Sequence, residues 1–84
     1  MPAEQHGTTH RFTVIFEKED QGGYHVFCPT LPGCHTQSET VEEGMANIRE
    51  AIQLYVETLI EDGLPIPEPT TQVGYAGVGV ISAS

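Results

Sequence analysis

Apolar and polar positions alternate along the first part of the chain and then change period. From Phe12 to Glu19, Phe12, Val14 and Phe16 fall on one side and Thr13, Ile15 and Glu17 on the other. That period of two predicts a half-buried strand. Asp20-Gln21-Gly22-Gly23 supplies hairpin turn chemistry, and Tyr24 to Cys28 reads as the return strand. Tyr24, Val26 and Cys28 then share one face, and His25 and Phe27 the other. Pro29, which has no amide to donate, ends the pairing. Pro32-Gly33 turns the chain into a third short strand over Cys34 to Gln37.

The period then becomes helical. Val41, Met45, Ile48, Ile52, Tyr55, Val56 and Leu59 recur at steps of three and four, a stripe that needs a sheet beneath it. Thr40-Val41-Glu42-Glu43 is a capping box, in which the Thr40 hydroxyl accepts from the Glu43 amide and the Glu43 carboxylate reaches back to the Thr40 amide. Gly63 is placed to cap the C-terminus, with Pro65 following. Beyond it Leu64 to Pro69 is a proline-bounded connector, and Val73 to Ile81 reads as a glycine-laced strand. The expected architecture is α+β, in the order βββαβ, with one antiparallel-type sheet packed on one long helix. A flexible leader over 1–10 precedes a single domain over 11–82.

Several of these segments resemble the HicB-like family, the antitoxin half of HicA/HicB-type toxin–antitoxin pairs. They are GGY at 22–24, the P-x-L-P-G-C run from Pro29 to Cys34, the T-x-E-E start from Thr40 to Glu43, the helix text NIREAIQLYVE and the connector GLPIPEP at 63–69. In their order and spacing they span about residues 12 to 81. The resemblance implies a partial ribonuclease-H-like fold and a binding role, since family members mask a small basic toxin that cleaves RNA. Two features depart from the family pattern. Full-length members commonly carry a C-terminal DNA-binding module, for which 84 residues leave no room. Gly44 stands where the pattern usually has alanine. A helix-interior glycine costs about 1 kcal/mol against alanine, so it either loosens the first turn or seats the helix closer to the sheet.

Charge narrows the partners. Twelve acidic residues against three basic ones give a net charge of -9. Holding a phosphate backbone takes several neutralising cations, so direct nucleic-acid binding is not expected, and the acidity suits a basic protein partner. No apolar run is long enough for a membrane span and no secretory leader is evident, which makes a cytoplasmic location the expectation. In a reducing compartment the two cysteines stay as thiols.

Neither metal nor cofactor chemistry is expected. His25, Cys28, Cys34 and His35 lie close together in sequence, but alternation sends His25 and Cys28 to opposite faces, and the spacing is unlike that of structural zinc sites. Glu17, Glu19 and Asp20 crowd a strand end without an evident general base, so a metal-dependent ribonuclease-H-like enzyme is the least favoured reading. His6 and His10 stand in the leader and read as inert.

What remains is surface. One helix covers one sheet face, leaving Ile15, Phe27 and His25 outward as a candidate partner-binding patch unless the leader or tail folds over them. On the helix, Glu43, Glu50, Glu57 and Glu61 fall opposite the apolar stripe with Leu54 among them, so Glu50, Leu54 and Glu57 form a second candidate patch. Val73, Tyr75 and Ile81 on one side of the tail, with Val78 and Val80 on the other, mark it as an oligomer-forming element. The expected function is a non-catalytic antitoxin whose partner is a HicA-like toxin, working as a homo-oligomer. An orphan self-associating structural or regulatory module is the alternative.

Overall fold

The structure, a computed structural model, describes residues 10–68 and 73–81. The expected leader lies outside these, apart from His10. Three strands, β1 (Ile15–Lys18), β2 (Tyr24–Phe27) and β3 (His35–Ser38), are followed by one helix, α1 (Val41–Glu61). The strands form an antiparallel sheet in the order β1-β2-β3, and α1 packs chiefly on β3 and β2. The α+β architecture thus matches the expectation from periodicity.

Local chemistry sets each boundary. Ile15 stands opposite Phe27, so extending β1 back to Thr13 would place it opposite Pro29, which offers no amide. Phe12 and Val14 therefore pack against the core without joining the ladder. The Cys28 amide bonds instead to the Cys34 carbonyl at 3.0 Å. Two tight turns lie between these cysteines, Leu31 N to Cys28 O at 3.1 Å and Cys34 N to Leu31 O at 3.0 Å. The second has Pro32 and then Gly33 at φ 82°, the residue order that a type II turn requires. This loop drives Leu31 fully into the core with Val26, Cys28, Cys34 and Ile48.

Helix α1 begins as expected, with the Thr40 hydroxyl accepting from the Glu43 amide at 3.0 Å. The reciprocal bond differs: the Glu43 carboxylate accepts from the Glu39 amide at 2.7 Å, one residue earlier than the capping box predicts. At the other end Leu64 N bonds Leu59 O at 2.9 Å and Gly63 N bonds Ile60 O at 3.1 Å, with Gly63 at φ 70°. This pair is the Schellman cap, which glycine favours because the left-handed backbone crowds a Cβ.

Gly44 is buried where the helix meets the sheet. A Cβ there would lie 2.6 Å from Ser38 Oγ, 2.9 Å from Phe16 Cε2 and 3.0 Å from Val26 Cγ2. Of the two expectations for Gly44, the close helix–sheet seat is the one realised. Val41, expected in the buried stripe, is exposed at the helix's first position.

The expected fourth strand is not present. Residues 73–81 form no strand, and all are exposed. Alternating side chains permit a strand, but its amides and carbonyls need a partner, and among the described residues none is supplied.

Gly44→Ala should destabilise the fold by about 1 kcal/mol, because overpacking costs roughly 1–3 kcal/mol and the gain in helix propensity offsets about 1. Urea unfolding followed by circular dichroism checks the sign: a lower midpoint is expected.

Candidate functional surfaces

Register fixes what each sheet face presents. Phe16, Val26 and Thr36 stand in one cross-strand row and Lys18, Tyr24 and Ser38 in another. Val26 is buried and Phe16 and Tyr24 pack on the core, so these rows face α1. The intervening rows, Ile15–Phe27–His35 and Glu17–His25–Gln37, therefore face away from it.

That outer face is a connected set of side chains. The His25 ring stacks on Phe27, with centroids 5.4 Å apart and planes at 24°. It also meets His35 edge-on at 5.4 Å. His25 Nδ1 lies 3.5 Å from Glu17 Oε1, an ion pair whenever the imidazole is protonated. Gln37 Nε2 donates to Glu19 Oε1 at 3.3 Å, tying β3 to the end of β1 across the top of the sheet. The result is an apolar strip of Ile15 and Phe27 continued by imidazole faces and bordered by acids. Such a surface can bury aromatic or aliphatic groups and pair with cations.

The candidate residues fall into separate groups. Ile15, His25 and Phe27 come together on the outer sheet face. Glu50, Leu54 and Glu57 come together on the solvent side of α1, all exposed, with Gln53 Nε2 donating to Glu57 at 3.4 Å. The helix lies between that patch and the sheet, so the two groups look out from opposite sides of the domain. Val73, Tyr75, Val78, Val80 and Ile81 form a third, exposed set.

Glu17 joins the outer patch as strand alternation expects, and so do His35 and Gln37, which reading the strands singly missed. The signal was available in the pairing, since placing Phe27 opposite His35 across the Pro29–Gly33 loop sets the face of the third strand. The zinc reading dissolves for the same reason: His25 and His35 lie on the outer face while Cys28 and Cys34 are buried in the core. Glu17 and Glu19 each take a partner on this face, Glu17 beside His25 and Glu19 accepting from Gln37.

The family described as HicB_like antitoxin of bacterial toxin-antitoxin system matches residues 12–76. The chain belongs to the HicB-like antitoxin family. It is 54% identical over 59 residues to a UPF0150 protein of Synechocystis sp., covering 70% of this chain and 75% of the relative. It is 34% identical over 64 residues to Antitoxin HicB 1 of Photorhabdus laumondii, covering 74% of this chain and 41% of that protein. Among solved structures, the N-terminal domain of the Burkholderia pseudomallei antitoxin HicB superposes with a TM-score of 0.64 at 38% identity, covering 73% of this chain and 72% of that one. A HicB-like domain is thus the antitoxin side of a toxin–antitoxin system, and the shared fold covers the sheet and the helix. No helix among the described residues is long and apolar enough to cross a membrane.

The core thiols give a direct check on the packing. Burial, and secondarily the neighbouring Cys28, push the Cys34 thiol upward. Iodoacetamide at mildly alkaline pH should therefore modify Cys34 far more slowly in the native protein than in urea. The raised value also makes its contribution to stability full below the unfolded thiol's range and lost as pH rises through the folded one. Equal alkylation rates in the two states would show that Cys34 is not held in the core.

Proposed function

We propose that this chain is a non-catalytic antitoxin that binds and masks a small basic, RNA-cleaving HicA-like toxin, using the outer sheet face as its contact surface. The observation that carries the reading is the HicB-like family match over residues 12–76, joined to a sheet whose face away from α1 presents Ile15, Phe27, His25 and His35, with Pro67, Glu68 and Val73 beside Ile15 at one end. The net charge of -9 supplies long-range attraction for a basic partner. Glu50, Leu54 and Glu57 look out from the opposite side, so they steer the approach and do not touch the same rigid partner. Masking needs no chemistry from the antitoxin: it needs aromatic and aliphatic anchors that fill a partner's cleft and exclude water. As a cytoplasmic inhibitor the chain would act by occupancy alone, without metal or cofactor.

Titration of a HicA-like toxin against this protein tests the proposal. Phe27→Lys places a cation where a basic partner sits and should weaken binding at least ~30-fold, the factor that corresponds to a hot-spot loss of about 2 kcal/mol. Leu54→Lys should leave affinity within a few-fold, and raising salt should slow association. The chain alone should leave RNA and DNA intact with Mg2+ or Mn2+. Metal-dependent cleavage that disappears on Glu17→Ala or Asp20→Ala would replace the binding reading with an enzymatic one.

A further inference from the structure

Cys28 and Cys34 face each other across the base of the Pro29–Gly33 loop. The pairing of β2 with β3 sets Phe27 opposite His35, so the next step of that register sets Cys28 opposite Cys34. The backbone agrees, because the Cys28 amide donates to the Cys34 carbonyl at 3.0 Å. An antiparallel pair joined in this way has its Cα atoms about 5.5 Å apart, within the usual separation for a disulfide. Cys28 leaves the sheet on the same side as Val26, and both thiols are buried in one core cluster with Val26, Leu31 and Ile48. Their closeness is also electrostatic: after burial, Cys28 is the second cause that pushes the Cys34 thiol upward.

The surroundings suit a bond that can open and close. Cys28 follows the last residue of β2 and Cys34 precedes the first of β3. Only one of the two hydrogen bonds such a pair can make joins them, since the Cys34 amide turns to the Leu31 carbonyl at 3.0 Å. The two backbones can therefore shift slightly without breaking the ladder. A cleft of about 310 Å3 at the loop is lined by both cysteines with Phe27, Pro32 and His35, which gives a small oxidant an approach.

We propose that Cys28 and Cys34 are a redox-modification site, a dithiol that a small disulfide such as oxidised glutathione converts to an intramolecular bond latching the loop that seats Leu31. One cysteine thiolate attacks a sulfur of the oxidant, forming a protein–glutathione disulfide and releasing one glutathione thiolate. The other cysteine thiolate then attacks the protein sulfur of that bond, joining Cys28 to Cys34 and releasing the second glutathione. The protein gives up two electrons and two protons, and the oxidant leaves as two thiols. Closure outruns a second glutathione addition because the resolving thiol is already held beside the mixed bond, in a core with no space for a tripeptide. The closed loop keeps Phe27 and His35, which flank the two cysteines, at a fixed spacing on the outer face.

Equilibration of the full chain with reduced and oxidised glutathione, quenched in acid and read by mass, tests the site. Closure shows as the loss of two hydrogens per chain, and dithiothreitol restores them. The native chain should be half closed at a ratio of oxidised to squared reduced glutathione at least ~10-fold lower than the same chain in urea, because the fold holds together two thiols that the open chain brings together only part of the time. Half closure at the same ratio in both states, or closure in urea alone, overturns the proposal. So do native chains that accumulate two glutathiones each or become linked to one another through sulfur.

Discussion

The approach of helix to sheet at Gly44 is the constraint on which the rest of the domain depends. With no side chain at this position, Ser38, Phe16 and Val26 all close on the helix backbone, at distances where a Cβ could not fit without displacing them. Ser38 is fixed in that seat because its Oγ donates to the Thr40 carbonyl at 2.8 Å, which ties the end of β3 to the start of α1. The same short link carries the N-cap. One glycine, one serine and one threonine thus set both the direction and the depth of the helix, and Ile48 is buried against Val26 and Leu31 as a consequence.

That seating divides the sheet into a face covered by α1 and a face turned away from it. The inner rows are filled by α1 and by Leu31 from the Pro29–Gly33 loop. The outer rows are left to a stacked His25–Phe27 pair, an edge-on His35 and the aliphatic Ile15. A domain this small buries a modest share of its surface, so leaving one face open has a cost in stability. The proposed partner contact gives a physical reason for that cost, and it is in keeping with membership of an antitoxin family.

The sequence was most legible where the determining chemistry is local. The Thr40 cap, the Gly63 stop and the hairpin before Tyr24 each depend on residues within a few positions, and each appears where the pattern puts it. The antiparallel three-stranded sheet and long helix followed from the change of period. Legibility failed where a distant group decides. Leu31 looks like a loop residue until the Cys28–Cys34 turns direct it inward, and Val41 shares the phase of the buried stripe but sits at the first position, where the chain is still turning off β3. The outer face was only half visible, because His35 and Gln37 join it through cross-strand register. The tail shows the limit most clearly: alternation marks Val73 to Ile81 as strand-like, but backbone pairing needs a second strand that the rest of the described chain does not supply.

The central claim, that the two sheet faces do different work, is tested most directly by substituting adjacent residues of β2. Val26 and Phe27 point to opposite faces, Val26 fully buried and Phe27 half-buried. Equilibrium urea unfolding of Val26→Thr and Phe27→Thr compares them within one strand. A buried hydroxyl in place of the Val26 methyl lacks a partner and should cost about 1–3 kcal/mol. Phe27→Thr should cost clearly less, because the position faces away from the helix and threonine suits a strand. If Phe27→Thr instead unfolds the protein as readily as Val26→Thr, the outer face is part of the core, and its reading as a contact surface is wrong.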